Sequence, residues 1–247
     1  MDLRALIFDI NGTLIDIETD ERMEQAYRAI GHFLTYQGVT LHRWELYTLY
    51  FQIMKEQFAR SAELFPEFDV VAIWREILER YATEFTASLP LARLQQLPLF
   101  LAELQRGISR KRLSLFPQVL EVLSRMKEQF RLAVVSDAQS AYALPELRAV
   151  GLHEYFNPVI ISGDYGFRKP DSRLFQKALD ELQLRPDQAI YIGNDVYRDI
   201  FGARQLGIKT VLFHHTQDLT RLNDPQPDYI IREFAELPRA VDFFLAL

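Results

Sequence analysis

The sequence predicts an α/β fold: a parallel sheet core with helices on both faces, plus an inserted all-helical domain. Three observations lead there. First, short apolar runs alternate with amphipathic stretches in the second half of the chain: "LAVVS" (132–136), "PVIIS" (158–162), "AIYIG" (189–193) and "KTVLF" (209–213), with a weaker "DYII" at 228–231. Continuous apolar strands alternating with helical patterns are buried on both faces, which is the signature of a parallel sheet. Second, a run of the same kind, "RALIFD" (4–9), stands alone near the N-terminus. Third, the strand pattern stops between about residues 15 and 114.

In that interval "RMEQAYRAIGHFLTYQ", "RWELYTLYFQIMKEQFARS", "VVAIWREILERYATEF" and "LPLFLAELQRGI" carry apolar residues at helical spacing. Breaks fall at "GVT", "FPEFD" and "SLPLARLQQLP". Residues 1–14 and 115–247 are therefore expected to form the core, and 15–114 a helical insertion without strands. Its aromatic residues Tyr36, Trp44, Tyr47, Tyr50, Phe51, Trp74 and Tyr81 are expected mainly to pack the bundle, with a few left to face a ligand.

Composition narrows the function. Apolar residues make up 49% and charged residues 25% of the 247 positions, the mix of a soluble globular protein. With 34 acidic against 28 basic residues the net charge is -6, which argues against a nucleic-acid partner but leaves room for a local anion site. No cysteine is present, so disulfides and thiolate chemistry are excluded. No run has the length needed to cross a bilayer, and "MDLRALIFDI" does not read as a secretory signal. A cytoplasmic protein without a membrane partner is expected, as a monomer or a homodimer.

Ligands of open parallel sheets collect at the carboxyl ends of the strands. There the first strand delivers Asp9, Asn11, Gly12 and Thr13, and "LAVVS" delivers Ser136, Asp137 and Ala138. "GFRKPD" places Lys169 before a helix start, and "AIYIG" delivers Asn194 and Asp195, with Asp199 one turn later. Each residue alone is ordinary turn or cap chemistry. Their order and spacing make the signal.

With those segments in view, the chain resembles the haloacid dehalogenase superfamily, which is dominated by magnesium-dependent phosphohydrolases. "FDINGTL" looks like its first motif, "VVSDA" its second, "FRKPDSRLF" its lysine motif and "YIGNDVYRDIFGARQLGIKTV" its acidic fourth motif. The resemblance implies a Rossmann-like core and makes the helical insertion a C1 cap. It implies that Asp9 attacks phosphorus to form an aspartyl-phosphate. It also implies that Lys169 offsets charge beside Asp9. Ser136, with Gly12, Thr13, Asp137 and Ala138 around it, would hold the phosphoryl group. Mg2+ would be held by Asp9, the Asn11 carbonyl and an oxygen from Asn194, Asp195 or Asp199.

Two positions depart from the phosphatase pattern. Asn11 stands where the family has the carboxyl that exchanges protons with leaving group and water, and an amide cannot do that. Loss of a positioned acid or base costs ~10²–10⁴-fold. Asn194 stands at the usual metal-ligand carboxylate. The preferred expectation is a phosphatase-like hydrolase acting on a small phosphorylated molecule with altered proton transfer. The runner-up is a non-catalytic binder of a phospho-ligand or partner. A 2-haloacid dehalogenase ranks third, because Asn11 is not aromatic and the fourth motif keeps acidic residues. The pair His214-His215 points to opposite faces if it continues a strand, which argues against joint metal ligation. The basic run "RGISRKR" (106–112) reads as a solvated helix end and linker.

Overall fold

The computed structural model describes residues 1–214 and 226–246. Six strands form one sheet: β1 (Ala5–Phe8), β4 (Arg131–Ser136), β5 (Val159–Ile161), β6 (Ala189–Gly193), β7 (Lys209–Phe213) and β8 (Tyr229–Ile231). Their order is β5-β4-β1-β6-β7-β8, and every pairing is parallel. The apolar runs form these strands because both sheet faces are covered. Leu6, Phe8, Leu132, Val134, Ile190 and Ile192 pack toward one face with α6 (Val119–Met126), α7 (Ser140–Ala149) and α10 (Leu237–Leu245). Ile7, Ala133, Val135 and Tyr191 pack toward the other with α8 (Ser172–Leu182) and α9 (Gly202–Arg204).

The topology itself locates the site. β1 lies between β4 and β6, so chain connections leave it in opposite directions. A crevice therefore opens at the carboxyl ends of these three central strands, the switch point of an open α/β sheet. Asp9, Ser136 and Asn194 all stand at that edge.

The insertion contains α1 (Glu24–Thr35), α2 (Arg43–Arg60), α3 (Val70–Arg80), the short α4 (Glu84–Ala87) and α5 (Leu91–Ser109). It has its own apolar cluster around Tyr27, Tyr50, Ile73, Trp74 and Leu101. Tyr50 and Trp74 are buried as expected of core aromatics, whereas Tyr36 is 78% and Trp44 51% exposed.

The expectation of a strand-free insertion is corrected. β2 (Ile15–Thr19) and β3 (Arg110–Leu115) pair antiparallel and form a ribbon through which the chain leaves and re-enters the core. Arg112 straps the ribbon by reaching Asp16 at 2.8 Å and Glu18 at 3.0 Å across it. The basic run is correspondingly more than a solvated linker. Its Arg106 grips the buried Glu146 of α7 at 2.7 Å, and Lys111 meets Asp20 at 3.4 Å.

A loop of the insertion also docks on the core. Phe65 O accepts from Arg168 N and Glu67 N donates to Gly166 O, both at 2.9 Å, just ahead of Lys169. Gln139 spans the same junction, donating to Phe68 O at 2.7 Å and accepting from Val70 N at 3.0 Å.

Candidate active site

Asp9 directly follows β1, between Phe8 and Ile10, which are both held in the core. The loop then turns through Gly12, which has φ +83°. A side chain there would be strained, and its Cβ would lie 2.6 Å from Asn194 Nδ2. Thr13, buried behind the loop, has its hydroxyl 3.4 Å from Asp9 Oδ2 and 3.2 Å from Asn194 Oδ1.

The two oxygens of Asp9 have different surroundings. Oδ1 accepts from Lys169 Nζ and from Ser136 Oγ, each at 2.8 Å. Oδ2 has only the long Thr13 contact. The carboxylate is thus fixed through one oxygen while the other keeps its lone pairs for chemistry.

Lys169 lies between two acids. Its Nζ is 2.6 Å from Asp199 Oδ1 as well as 2.8 Å from Asp9 Oδ1, and all three side chains are almost fully buried. Burial alone would lower the lysine pKa, but Asp199 and Asp9 outweigh it and hold the ammonium well above its ordinary value. Tyr191, inside β6, supports the group from below. Its hydroxyl is 3.2 Å from Lys169 Nζ, 3.0 Å from Asp199 Oδ1 and 2.9 Å from Val135 O. Sequence reasoning missed Tyr191; the available signal was a hydroxyl within an otherwise apolar strand run.

Asp199 is a keystone and not a free acid. Its Oδ2 accepts from the backbone N–H of Asn194 at 3.0 Å and of Asp195 at 2.9 Å, so both oxygens are engaged. Gly193 makes this approach possible, since a Cβ there would fall 2.4 Å from Asp199 Cγ. Asp195 is engaged too. It caps the π-helical turn Val196–Phe201 through the N–H groups of Tyr197 and Arg198 and meets Arg198 Nε at 2.9 Å. Although burial pushes the other way, the N–H and guanidinium of Arg198 hold its carboxyl below the usual range.

Several expected contacts change accordingly. Gly12 N donates to Ile15 O and Ala138 N to Ser162 Oγ, so neither N–H is free for a phosphate oxygen. Turn closure and loop packing consume them. Ser136 is turned toward Asp9. Asp137 accepts from Lys169 N at 2.9 Å through Oδ1, while its Oδ2 has no hydrogen-bond partner. Asn11 Oδ1 is likewise buried without one. His214, just after β7, donates its N–H to Ile231 O at 2.8 Å; His215 lies outside the described residues.

For a magnesium ion, the donor set is sparse but of the right kind. Asp9 Oδ2 and Asn194 Oδ1 lie on either side of the Thr13 hydroxyl. Mg2+ takes hard oxygen ligands and is commonly held by one or two carboxylates plus substrate phosphate and water. Among the described residues, no cluster of three acidic or histidine side chains forms a ready-made metal cage.

With this geometry established, the chain can be compared with known proteins. A model of haloacid dehalogenase-like hydrolases matches residues 6–213. The chain belongs to that family. A glyceraldehyde 3-phosphate phosphatase of Methanothermobacter thermautotrophicus is 25% identical over 229 residues, covering 92% of this chain and 91% of that protein. A phosphoglycolate phosphatase of Agrobacterium fabrum is 26% identical over 243 residues, covering 95% and 91%. In structure, a 2-haloacid dehalogenase of Pseudomonas syringae superposes with a TM-score of 0.71 at 22% identity, covering 98% of this chain and 99% of that one. That likeness is one of fold. This haloacid dehalogenase-like hydrolase has no helix among its described residues long and apolar enough to cross a membrane.

Glu67, brought in by the docking loop, was also missed by sequence reasoning, because "FPEFD" reads as a break. Its Oε2 accepts from Ser162 Oγ at 2.8 Å and its Oε1 from Phe68 N at 3.1 Å. Burial pushes its pKa up, with Asp137 adding to the shift and the two hydrogen bonds opposing it. A carboxyl whose folded pKa exceeds its unfolded value of about 4.3 loses stability as pH rises through that interval. Glu67→Gln should therefore flatten the stability profile above about pH 4 without lowering stability near pH 8. Urea denaturation at both ends of the range checks this.

Proposed function

We propose that this protein hydrolyses phosphate monoesters of small molecules, with Asp9 as nucleophile. The single observation that carries the proposal is the asymmetry of Asp9: Oδ1 pinned by Lys169 and Ser136, Oδ2 left open. The phosphatases that share most of their length with this chain support the same substrate class.

Asp9 Oδ2 attacks phosphorus, forming an aspartyl-phosphate and expelling the alcohol oxygen. Lys169 stays protonated throughout, so its positive charge is available as the phosphoryl oxygens gain charge. Asp199 and Tyr191 keep that ammonium aimed at Asp9. The Asp9 carboxylate, the Asn11 carbonyl and Asn194 Oδ1 would hold Mg2+, which would supply neutralisation of the negative charge of carboxylate and phosphate. Asp195 and Asp199 are assigned to support this set, since their oxygens are already engaged. With a single charged ligand, affinity for the cation alone is expected to be weak and to rise when a phosphate is present.

A panel of small phosphate monoesters, assayed with Mg2+ and after chelation, tests the proposal. Hydrolysis that requires the cation is expected. Activity appearing only in Asn11→Asp would instead indicate a non-catalytic phospho-ligand binder. Halide release from a 2-halo acid without Mg2+ would indicate a dehalogenase.

A further inference from the structure

Asn11 leaves the phosphatase chemistry short of one function. A poor leaving group departs as an alkoxide that needs a proton, and the water that later attacks the aspartyl-phosphate must lose one. Among the carboxyls of the site, Asp199, Asp195 and Glu67 have both oxygens bonded, and Asp9 is the nucleophile. Asp137 differs. Its side chain is 10% exposed, its Oδ1 is anchored on Lys169 N, and its Oδ2 makes no hydrogen bond, with only an ion contact to Arg198 Nη1 at 3.8 Å. It directly follows Ser136, which touches Asp9. A buried carboxylate oxygen without a partner is costly and calls for an explanation.

We propose that Asp137 carries the proton transfer that Asn11 cannot, first as general acid and then as general base. This rests on the phosphatase reading above. In the first step Asp9 Oδ2 forms a bond to phosphorus, the P–O bond to the alcohol breaks, and the proton on Asp137 Oδ2 passes to the departing oxygen. In the second, Asp137 takes a proton from water, whose oxygen bonds to phosphorus as the Asp9–phosphorus bond breaks. Asp9 returns as carboxylate, Asp137 is protonated again, and one ester plus one water has become alcohol and phosphate.

The electrostatic surroundings suit the role. Burial pushes the Asp137 pKa up, opposed by Lys169, its N–H and Arg198, while the negative charge of Asp199 adds to the rise. Glu67, from the docking loop, is a further acid close enough to interact with it. A carboxyl raised in this way holds a proton closer to neutrality than an ordinary aspartate does.

The test uses the whole chain and two substrates, an alkyl phosphate and a nitrophenyl phosphate whose leaving group needs no proton. Asp137→Asn preserves the acceptor for Lys169 N, and a thermal melt checks folding. It should lose ~10²–10⁴-fold in kcat/KM on the alkyl ester and far less on the aryl ester. On the aryl ester it should release one burst of nitrophenolate per enzyme, because hydrolysis of the intermediate has lost its base. For wild type and the alkyl ester, kcat/KM should fall as pH rises through the Asp137 pKa; the variant should lack that limb. Adding Asn11→Asp to Asp137→Asn should restore alkyl-ester turnover, which a merely structural defect would not permit. Equal losses on both esters without rescue, or no loss at all, would overturn the inference and leave the phosphatase reading standing. Wild-type hydrolysis that is absent, or undiminished by Asp9→Asn, would overturn both.

Discussion

Lys169→Met should melt well below the wild type at neutral pH and recover on acidification. The substitution keeps the length of the side chain but leaves Asp9 and Asp199, 5% and 1% exposed, facing each other without a cation. Removing one partner from a buried ionic group costs about 3–5 kcal/mol. For a chain of this size that corresponds to a drop in Tm of roughly 6–20 °C.

The sign of the pH dependence follows from linkage. In wild type the Lys169 pKa is raised, so its stabilisation is fully present below about pH 10.4 and fades only as pH rises through the folded value. In the variant Asp199, whose pKa burial already raises against the opposing charge of Lys169, loses that charge and holds its proton more tightly than in the unfolded chain. Stability should therefore fall as pH rises, and the deficit should be smaller at about pH 5 than at about pH 8. Equal melting of variant and wild type at both values would mean that the lysine does not hold the two acids together.

Asp9→Asn should do the opposite: leave the fold intact and remove turnover. Asp199 still pairs with Lys169, so no charge is stranded, and the amide oxygen can accept from Ser136 and Lys169. Stability is expected within about 1 kcal/mol of wild type, or above it, since active-site charge is often held at a cost. An amide is a poor nucleophile toward phosphorus, and losing the nucleophile of a covalent catalyst can cost on the order of 10⁶-fold in kcat. Thermal melts and initial rates on the same preparation separate the two effects. Together the variants divide the cluster: Lys169 carries stability and charge, whereas Asp9 carries the bond-making step.

The sheet was legible because its strands are short, apolar and doubly buried, so "LAVVS" and "AIYIG" read as strands without reference to neighbours. Strand ends then gave Asp9, Ser136, Lys169 and Asp199 as one group, and the structure brings these four together. The β2–β3 ribbon was not legible. Its residues, "IDIET" and "RKRLSL", do alternate apolar with polar side chains, but over two apolar positions each, too short a stretch to stand out between helical patterns, and cross-strand ion pairs complete the pairing. Nor could sequence distinguish an acid that faces a ligand from one that closes a turn. Asp195 and Asp199 stand where ligands were expected, yet backbone N–H groups and Lys169 occupy their oxygens. The partners of the Gly12 and Ala138 N–H groups, Ile15 O and Ser162 Oγ, were not legible either, since a backbone donor's partner depends on loop packing.

The most direct measurement is chemical trapping of the covalent enzyme. Wild type should be quenched in acid during turnover of an aryl phosphate with Mg2+, reduced with borohydride and mapped by peptide mass. An acyl phosphate on Asp9 predicts that position 9, and no other acid, is converted to the reduced side chain. Modification of a different residue, or sustained turnover with Asp9 never labelled and dispensable, would contradict the account.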